Sequence, residues 1–360
     1  MAVTLTRRFH AVGQGLFCSE HVYADGENVF NAVYDCGSNN NGPCRIRVNE
    51  MKEIVGPSGK IDYLFISHFH DDHINCLDML TDEFDVDKIV LPQLSPYQKI
   101  RAFALESDGG SYSKKYSDLR RKIFTGSLRA NEYIEIPNFD SPSLPNINVS
   151  NNEETYHEFD LYRMTVDKSD ISCKIIDDVY VMYIPFYVES EMSKRFMEEV
   201  KRTNPQVIEA AEKNDFSNLE ELLGNDAFGK LKKQYRFSYG SNMNESSMTV
   251  LSVPCRSGMS ALYNGDFPYR ISASDLLVRI YYRREWHDIE TILASHHGSK
   301  KDNPIELYSK GGNNCVVSYG ANNNYGHPYR AGITEIAQKG FTVHEITENT
   351  NSLELTYTLK

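Results

Sequence analysis

The densest group of chemically active side chains is a six-residue segment, residues 68–73, that reads His-Phe-His-Asp-Asp-His. Its spacing is H-x-H-x-D-H, and imidazole and carboxylate groups are good ligands for Zn²⁺ and Mn²⁺. A loop with this spacing can direct His68 and His70 at one ion, and Asp72 and His73 at a neighbouring ion. We therefore predict a site for two divalent metal ions, Zn²⁺ or Mn²⁺, rather than a polar surface loop.

The segment before these ligands, Ile61–Ser67, has the apolar pattern of a buried strand. A strand end that opens into a loop is where open α/β sheets place their chemistry. Short apolar or β-branched runs recur over residues 1–95 and 245–360, whereas residues 96–240 contain polar helical patterns. Strands that alternate with helices predict the α/β class, with residues 96–240 as an insertion into one domain.

The predicted secondary structure follows from these patterns and from the turn residues that bound them. The predicted strands of the two outer zones are Val3–His10, Val29–Tyr34, Asp62–Ser67, Lys88–Leu91, Ser247–Val253, Ala261–Asn264, Thr291–Ala294, Cys315–Ser318 and Leu353–Leu359. The predicted helices are Ser113–Phe124, Glu191–Lys201, Asn218–Arg236 and Ala331–Lys339. A strand pair is predicted near residues 159–188.

Composition and charge exclude several classes of protein. Of 360 residues, 40% are hydrophobic and 24% are charged, close to the average for globular proteins. No apolar run approaches the ~20 residues of a membrane helix, and the first residues lack the apolar core of a secretory signal. Seven cysteines without a C-x-x-C pair argue against a disulfide framework. We therefore expect a soluble cytoplasmic protein with no membrane partner.

The H-x-H-x-D-H segment resembles the first metal motif of the metallo-β-lactamase superfamily. Six further segments resemble motifs of a narrower group and follow that group's order along the chain. This group comprises the metallo-β-lactamase domain of the bacterial DNA-uptake (competence) protein ComEC and its soluble relatives. These segments are His10–Gly15, Val33–Ser38, Asn244–Ser247, Asn264–Asp266, Ser295–Ser299 and Ser318–Gly320 through Asn324–Pro328. They cover residues 9–95 and 244–330, but not the insertion.

This resemblance implies a fold and a set of ligands. The fold is a four-layer αββα metallo-β-lactamase sandwich over residues 1–360, with a largely helical insertion at about 96–240 that covers or flanks the active site. The residues implied to bind the first metal ion are His68 and His70. Those implied to bind the second ion are Asp72, His73 and His297, with Asp266 as a bridge between the two ions.

One ligand of the superfamily pattern has no clear counterpart. A further histidine usually lies between the first motif and the Gly-Asp motif, and only His157 lies in that interval here. It falls inside the divergent insertion, in a segment that reads as an exposed loop. The resemblance therefore leaves the first metal ion with an incomplete set of protein ligands.

The same resemblance implies which residues meet the substrate. Asp72 would orient the nucleophile, and His327 would donate a hydrogen bond to a phosphoryl oxygen or protonate the leaving group, unless it only braces its turn. The further candidate substrate contacts are His296, Ser299, Lys300, Asn324 and Tyr325. His296 could instead support a metal ligand, and Lys300 could belong to a solvated loop. Asp35 and Gly37 are interpreted as structural residues beside the metals.

The predicted activity is metal-dependent hydrolysis of a phosphodiester in DNA or RNA by a metal-activated hydroxide. Residues 113–129 carry six basic side chains and one acid, which can track a phosphate backbone or form a solvated helix face. The net charge of -12 argues against coating of long duplex DNA by charge alone. The alternative is hydrolysis of a small phosphoester or cyclic nucleotide, as by phosphorylcholine esterases. A protein partner or a second copy could bind through the insertion.

Overall fold

The computed structural model describes residues 1–56, 59–104, 114–139, 171–176, 178–188, 191–224, 247–269, 278–279, 281–308 and 312–360. The strands in these ranges are β1 Val3–Phe9, β2 Phe17–Ala24, β3 Glu27–Cys36, β4 Lys60–Phe65, β5 Asp85–Pro92, β6 Glu132–Ile136, β7 Ile171–Ile176, β8 Val179–Phe186, β9 Thr249–Pro254, β10 Ser260–Tyr263, β11 Ile289–Leu293, β12 Asn314–Ser318, β13 Thr342–Ile346 and β14 Leu353–Thr358. The helices are α1 Asn41–Val55, α2 Asp71–Ile74, α3 Leu77–Glu83, α4 Pro96–Ala104, α5 Lys114–Phe124, α6 Glu191–Thr203, α7 Pro205–Glu212, α8 Phe216–Gly224 and α9 Arg330–Gln338. Short 3₁₀ turns cover Trp286–Asp288, Ser295–Gly298 and Ile305–Tyr308.

The strands form two mixed sheets of seven strands each. The first sheet has the order β14-β1-β2-β3-β4-β5-β6, and the second has the order β13-β12-β11-β10-β9-β8-β7. In the first sheet the pairs from β14 to β3 are antiparallel and those from β3 to β6 are parallel. The second sheet repeats this arrangement, with antiparallel pairs from β7 to β10 and parallel pairs from β10 to β13.

Apolar side chains lie in three clusters that correspond to the spaces between four layers. The central cluster joins the facing sides of the two sheets, with Phe65 and Val90 of the first packed near Tyr183 and Val250 of the second. A second cluster places α1 and α3 on the outer face of the first sheet. A third places Ile336 of α9 on the outer face of the second sheet. This αββα sandwich confirms the predicted fold class.

Residues 96–240 contribute to both sheets as well as to the outer helical layer. Strand β6 extends the first sheet, and the hairpin of β7 and β8 extends the second. Helices α4 to α8 bury apolar side chains in the cluster on the outer face of the first sheet. His157 and the predicted helix after Gly224 lie outside the described residues, so their assignments stay predictions, as do the domain and insertion boundaries.

None of the described helices is long and apolar enough to cross a membrane.

Candidate metal centre

The H-x-H-x-D-H segment lies at the carboxyl end of β4, where the chain leaves the first sheet and turns into the short helix α2. His68 and His73 are buried, and the ring centroids of His68 and His70 are 4.5 Å apart. Asp72 and His73 belong to α2, whose backbone lies against the end of β3. A Cβ atom at Gly37 would lie 2.5–2.6 Å from backbone atoms of Asp72 and His73. Glycine is therefore the only residue that permits this close approach.

Asp35 orients the ligands of this segment through hydrogen bonds to Ser67 and His73. It is fully buried, has a positive φ of 55°, and accepts hydrogen bonds from Ser67 N at 2.7 Å and Ser67 Oγ at 2.6 Å. It also accepts a hydrogen bond from His73 Nδ1 at 2.8 Å. Because the Ser67 hydroxyl donates to Asp35, it accepts from His68 Nδ1 at 2.9 Å. The Nε2 lone pairs of His68 and His73 are therefore available to a metal ion.

The second half of the site comes from the second sheet. Asp266 follows β10, and its backbone N donates to Ser247 Oγ at 3.1 Å. The preceding Gly265 has a φ of 52°, and a Cβ atom there would lie 2.7 Å from Ser247 Oγ. The Gly-Asp turn therefore packs against Ser247 and Ser67, which brings the Asp266 carboxylate to the ligands of the first sheet.

Two consecutive histidines after β11 complete the site. His296 and His297 have φ values of 47° and 54°, a left-handed conformation that is uncommon for residues with a side chain. His297 Nδ1 donates to the Ser318 carbonyl at 2.9 Å, and His296 Nδ1 donates to Asp302 Oδ2 at 2.8 Å. Each bond leaves the corresponding Nε2 atom as an acceptor that faces the carboxylates.

The ligand atoms form two groups that meet at Asp266. One group comprises His68, His70 and Asp266, and the other comprises Asp72, His73 and His297; within each group the ligand atoms lie within 4.8 Å of one another. Asp266 Oδ2 lies 3.8 Å from His68 Nε2, whereas Oδ1 lies 3.2 Å from His73 Nε2 and 3.9 Å from His297 Nε2. One carboxylate oxygen therefore faces each group, as a bridging ligand requires.

The donor set fits a pair of divalent cations. Within the described part of the chain, the buried Nε2 atom of His73 has no hydrogen-bond partner, although the Asp266 carboxylate lies 3.2 Å from it. Burial disfavours the charged imidazolium, but the carboxylates of Asp266 and Asp72 raise the pKa of His73 well above its usual value. These carboxylates therefore create a negative potential that favours positive charge at this point, which bound cations would satisfy.

Asp266 itself is stabilised as a carboxylate. Its complete burial opposes ionisation, but His296 and His73 hold its pKa well below the usual range. Burial likewise opposes the charged form of His296, whereas Asp266 and Asp302 raise the pKa of His296.

The predicted substrate residues lie to one side of this centre. The His327 ring is 5.1 Å from the His296 ring and 6.4 Å from the His297 ring. Burial and the two neighbouring histidines lower the pKa of His327 to about 4. Tyr325 is 65% exposed and lies nearly parallel to His327, with ring centroids 6.2 Å apart.

The remaining predicted contacts occupy different positions. Asn324 and Lys300 are exposed, and Lys300 Nζ lies 5.0 Å from the centre of the Tyr329 ring. Ser299 is buried, and its hydroxyl donates to Asp302 Oδ2 at 2.6 Å. Ser299 therefore acts on His296 through Asp302.

Several residues that organise the centre were missed by sequence reasoning. Asn323 accepts hydrogen bonds from the backbone N of Tyr325 and of His327, and donates to carbonyls of Gly320 and His327, so it shapes the loop beside the site. Asp302 orients His296, and Ser67 links Asp35 to His68. Only Ser67, directly before the first ligand, had a signal that could have drawn attention to it.

The basic segment over residues 113–129 is partly used inside the protein. Arg120 is 3% exposed, forms an ion pair with Asp71, and donates from Nε to the Phe69 carbonyl at 3.1 Å. Lys122 Nζ donates to Asp78 at 2.8 Å. Arg120 therefore attaches helix α5 to the metal-binding loop.

Residues 22–147 match the family model described as the Metallo-beta-lactamase superfamily. This match covers about a third of the chain. Members of this superfamily are generally metal-dependent hydrolases, and the matched residues include four of the candidate metal ligands: His68, His70, Asp72 and His73. No match appears among curated proteins.

Solved structures with a similar chain path include the metallo-β-lactamase fold protein YhfI from Bacillus subtilis, at 9% identity and a TM-score of 0.41, over 99% of this chain and 100% of that one. A diphosphatase from the PhnP family has 12% identity and a TM-score of 0.39, over 99% and 98%. Zn²⁺-bound PqqB from Methylobacterium extorquens has 10% identity and a TM-score of 0.41, over 94% and 86%. Similarities at these scores carry no information about the substrate of this protein.

Proposed function

We propose that the protein is a metal-dependent phosphodiesterase or nuclease of the ComEC-like group, which cleaves DNA or RNA. The observation that carries this proposal is the Asp266 carboxylate between two ligand groups, with His327 and an exposed tyrosine at their side. Two neighbouring cations suit the in-line displacement at a phosphodiester.

The residues of the chain have distinct tasks in this proposal. Two divalent cations, Zn²⁺ or Mn²⁺, would activate water and stabilise negative charge on a phosphoryl oxygen. Asp72 lies on α2 with Oδ2 3.2 Å from His297 Nε2, where it would hold the second ion and orient the attacking nucleophile. Asp266 would keep the two ligand groups at a fixed separation.

His327 would act as a hydrogen-bond donor. Since its pKa is lowered to about 4, the imidazole is neutral at pH 7 and still carries one N–H group. A neutral imidazole can donate to a phosphoryl oxygen but is a poor source of a full proton for a leaving group. Of the two roles predicted for His327, we therefore propose the contact with the phosphoryl oxygen.

Tyr325 would contact the nucleoside part of the substrate. A tyrosine that is 65% exposed beside a catalytic centre offers a flat apolar surface. Base–aromatic stacking is worth about 1–3 kcal/mol per base and tolerates any sequence. Exposed Asn324 and Lys300 would add polar contacts to the same side.

The alternative substrate is a small phosphoester or cyclic nucleotide. The pairing of Arg120 with Asp71 and of Lys122 with Asp78 favours it, because these cations are directed at acids of the chain itself. A protein with a net charge of -12 also offers little general attraction to a polynucleotide.

Hydrolysis assays with added Mn²⁺ or Zn²⁺ test the proposal. The substrates are single-stranded DNA, duplex DNA, RNA, cyclic dinucleotides and bis-p-nitrophenyl phosphate, each assayed with wild type, Asp266→Ala and His73→Ala. We expect polynucleotide cleavage that both variants abolish while circular dichroism shows an intact fold.

Three results separate the possibilities. Polynucleotide binding that weakens steeply with salt supports a nuclease. Cleavage of the small diesters alone supports the alternative. Activity retained by either folded variant, with unchanged metal content, contradicts the assignment of the site.

A further inference from the structure

The first ligand group provides two imidazoles, from His68 and His70, and one oxygen of Asp266. The second group provides two imidazoles, Asp72 and the other oxygen of Asp266. We infer that His296 is a further ligand of the first metal ion and supplies the fourth protein ligand that this group lacks. This inference rests on the two-ion centre of the proposed function.

The distances place His296 on the side of the first ion. Its Nε2 atom lies 3.8 Å from Asp266 Oδ2, the same oxygen that lies 3.8 Å from His68 Nε2. Two ligand atoms that each lie about 2.1 Å from one ion are separated by about 3–4 Å. His297, the next residue, has Nε2 3.9 Å from Oδ1, the oxygen of the second group. The two consecutive histidines therefore face different oxygens of the bridging carboxylate.

The hydrogen bonds of His296 are those of a metal-binding histidine. Metal-ligating imidazoles usually donate their other N–H to a carboxylate or carbonyl, which fixes the ring and makes the ligating nitrogen more basic. His296 donates to Asp302, which is 1% exposed and is itself held by Ser299 Oγ. His73 donates to buried Asp35 in the same way. Each ligand group would thus contain one histidine supported by a buried carboxylate.

The backbone supports the same assignment. His296 adopts a φ of 47°, a left-handed conformation that is unfavourable for a residue with a side chain. Its backbone N donates to the Gly265 carbonyl at 2.9 Å, directly beside Asp266. The strained turn is therefore anchored to the bridging ligand and directs both imidazoles inward. A histidine that only packs beside the site would not need this conformation.

Metal content distinguishes a ligand from a substrate contact. We would compare wild type with His296→Gln and with His327→Gln, a matched control that removes the neighbouring imidazole on the substrate side. Each protein is equilibrated with Mn²⁺, freed of excess metal, and analysed by mass spectrometry for bound manganese and by electron paramagnetic resonance for coupling between ions.

We expect two coupled ions in wild type and in His327→Gln, and one isolated ion in His296→Gln. Asp302→Asn, which changes only the supporting carboxylate, should bind the first ion about 10–100-fold more weakly. Circular dichroism of the metal-free proteins shows whether each variant is folded.

Two coupled ions in folded His296→Gln, with wild-type affinity, would overturn the inference and make His296 a substrate contact. Fewer than two ions in wild type would instead overturn the two-ion centre and the proposed function with it. Activity measurements are not needed to reach either conclusion.

Discussion

At the scale of single residues, the candidate centre depends on which ring nitrogen of each histidine carries the proton. His68, His73, His296 and His297 all use Nδ1 in a hydrogen bond with the protein. Their Nε2 atoms are left for the space around Asp266. The acceptors behind these rings are therefore as important to metal binding as the rings themselves.

Asp35→Asn tests this dependence. The amide has the size of the carboxylate, but it lacks the charge that favours the proton on His73 Nδ1. We expect the affinity for the second ion to fall about 10–100-fold while the fold is retained. Competition with a chromogenic chelator measures the affinity. Asp62→Asn, at a carboxylate that binds Asn31 N far from the centre, serves as a control. An unchanged affinity in Asp35→Asn would show that Asp35 does not support the ligand.

The candidate ligands were predictable because they lie in three short, contiguous segments, residues 68–73, 264–266 and 295–299. Of their supporting residues, Asp35 was predicted from the sequence, but others were not. Asp302 and Asn323 have no distinctive spacing, and their roles depend on how the chain folds back on itself. Asn324, which was predicted as a contact from the same loop, is exposed, whereas its neighbour Asn323 organises the loop.

At the scale of elements, a buried network of polar side chains links the residue after β1 to strands β2 and β3, on the face of the first sheet away from the second sheet. His10 Nε2, Ser19 Oγ and His21 Nε2 are linked at 2.8 Å per step. His21 Nδ1 extends this network by a hydrogen bond to Asn31 Oδ1 at 2.7 Å. Burial lowers the pKa of His21 to about 4 and that of His10 well below its usual value.

Because the two histidines of this network are buried, we predict that the protein loses stability in mild acid. Unfolded histidine has a pKa of about 6.5, so the unfolded state binds a proton that folded His21 rejects. The contribution of neutral His21 to the free energy of unfolding is therefore complete above pH 6.5. It is lost as the pH decreases towards about 4, and the loss amounts to about 3 kcal/mol. His21→Gln should reduce this loss. Urea unfolding of metal-free protein at pH 8 and pH 5 measures it.

The control for this experiment is His287→Gln, which removes an exposed imidazole. It should keep the pH dependence of the wild type. An equal pH dependence in His21→Gln and the wild type would mean that the buried histidine network is not the source of the acid sensitivity.

Elements with strong patterns were predicted well from the sequence, and others were not. The predicted strands Lys88–Leu91 and Leu353–Leu359 correspond to β5 and β14, and the predicted helix Ala331–Lys339 corresponds to α9. Strand β2 was missed because its polar residues, among them Ser19 and His21, are buried beneath the outer layer and hide the usual alternation.

At the scale of the whole molecule, one buried carboxylate joins the two sheets. Glu20 of β2 accepts hydrogen bonds from Arg7 of β1 at 2.7 Å and from three hydroxyls at 2.7–2.8 Å. The hydroxyls belong to residues of the second sheet: Tyr183, Ser252 and Tyr263. All four donors converge on a group that is 2% exposed.

Glu20→Gln should therefore destabilise the protein strongly. It leaves the Arg7 charge buried without a counter-ion, and breaking a buried pair in this way costs about 3–5 kcal/mol. Guanidinium unfolding measures the change. Glu354→Gln, which breaks the more exposed pair with Arg8, should cost at most about 1 kcal/mol. Equal stability of the two variants would show that Glu20 is not a link between the sheets.

The two-sheet sandwich was predictable from the resemblance of its motifs, whereas this link was not. Nothing in the sequence distinguishes Arg7 and Glu20 from charged residues at the surface. Only the packing of the second sheet over them makes them interior.

The ligands of the candidate centre also come from both sheets: His68 and His73 follow β4, while Asp266 and His297 follow β10 and β11. Cations bound there would cross-link the two halves of the sandwich, and an unfolded chain could not bind them in this way. Folding and metal supply then become linked equilibria, in which free metal at 100 times its dissociation constant adds about 2.7 kcal/mol. A cell that withholds the metal would weaken the protein against proteolysis at the same time as it silenced the site.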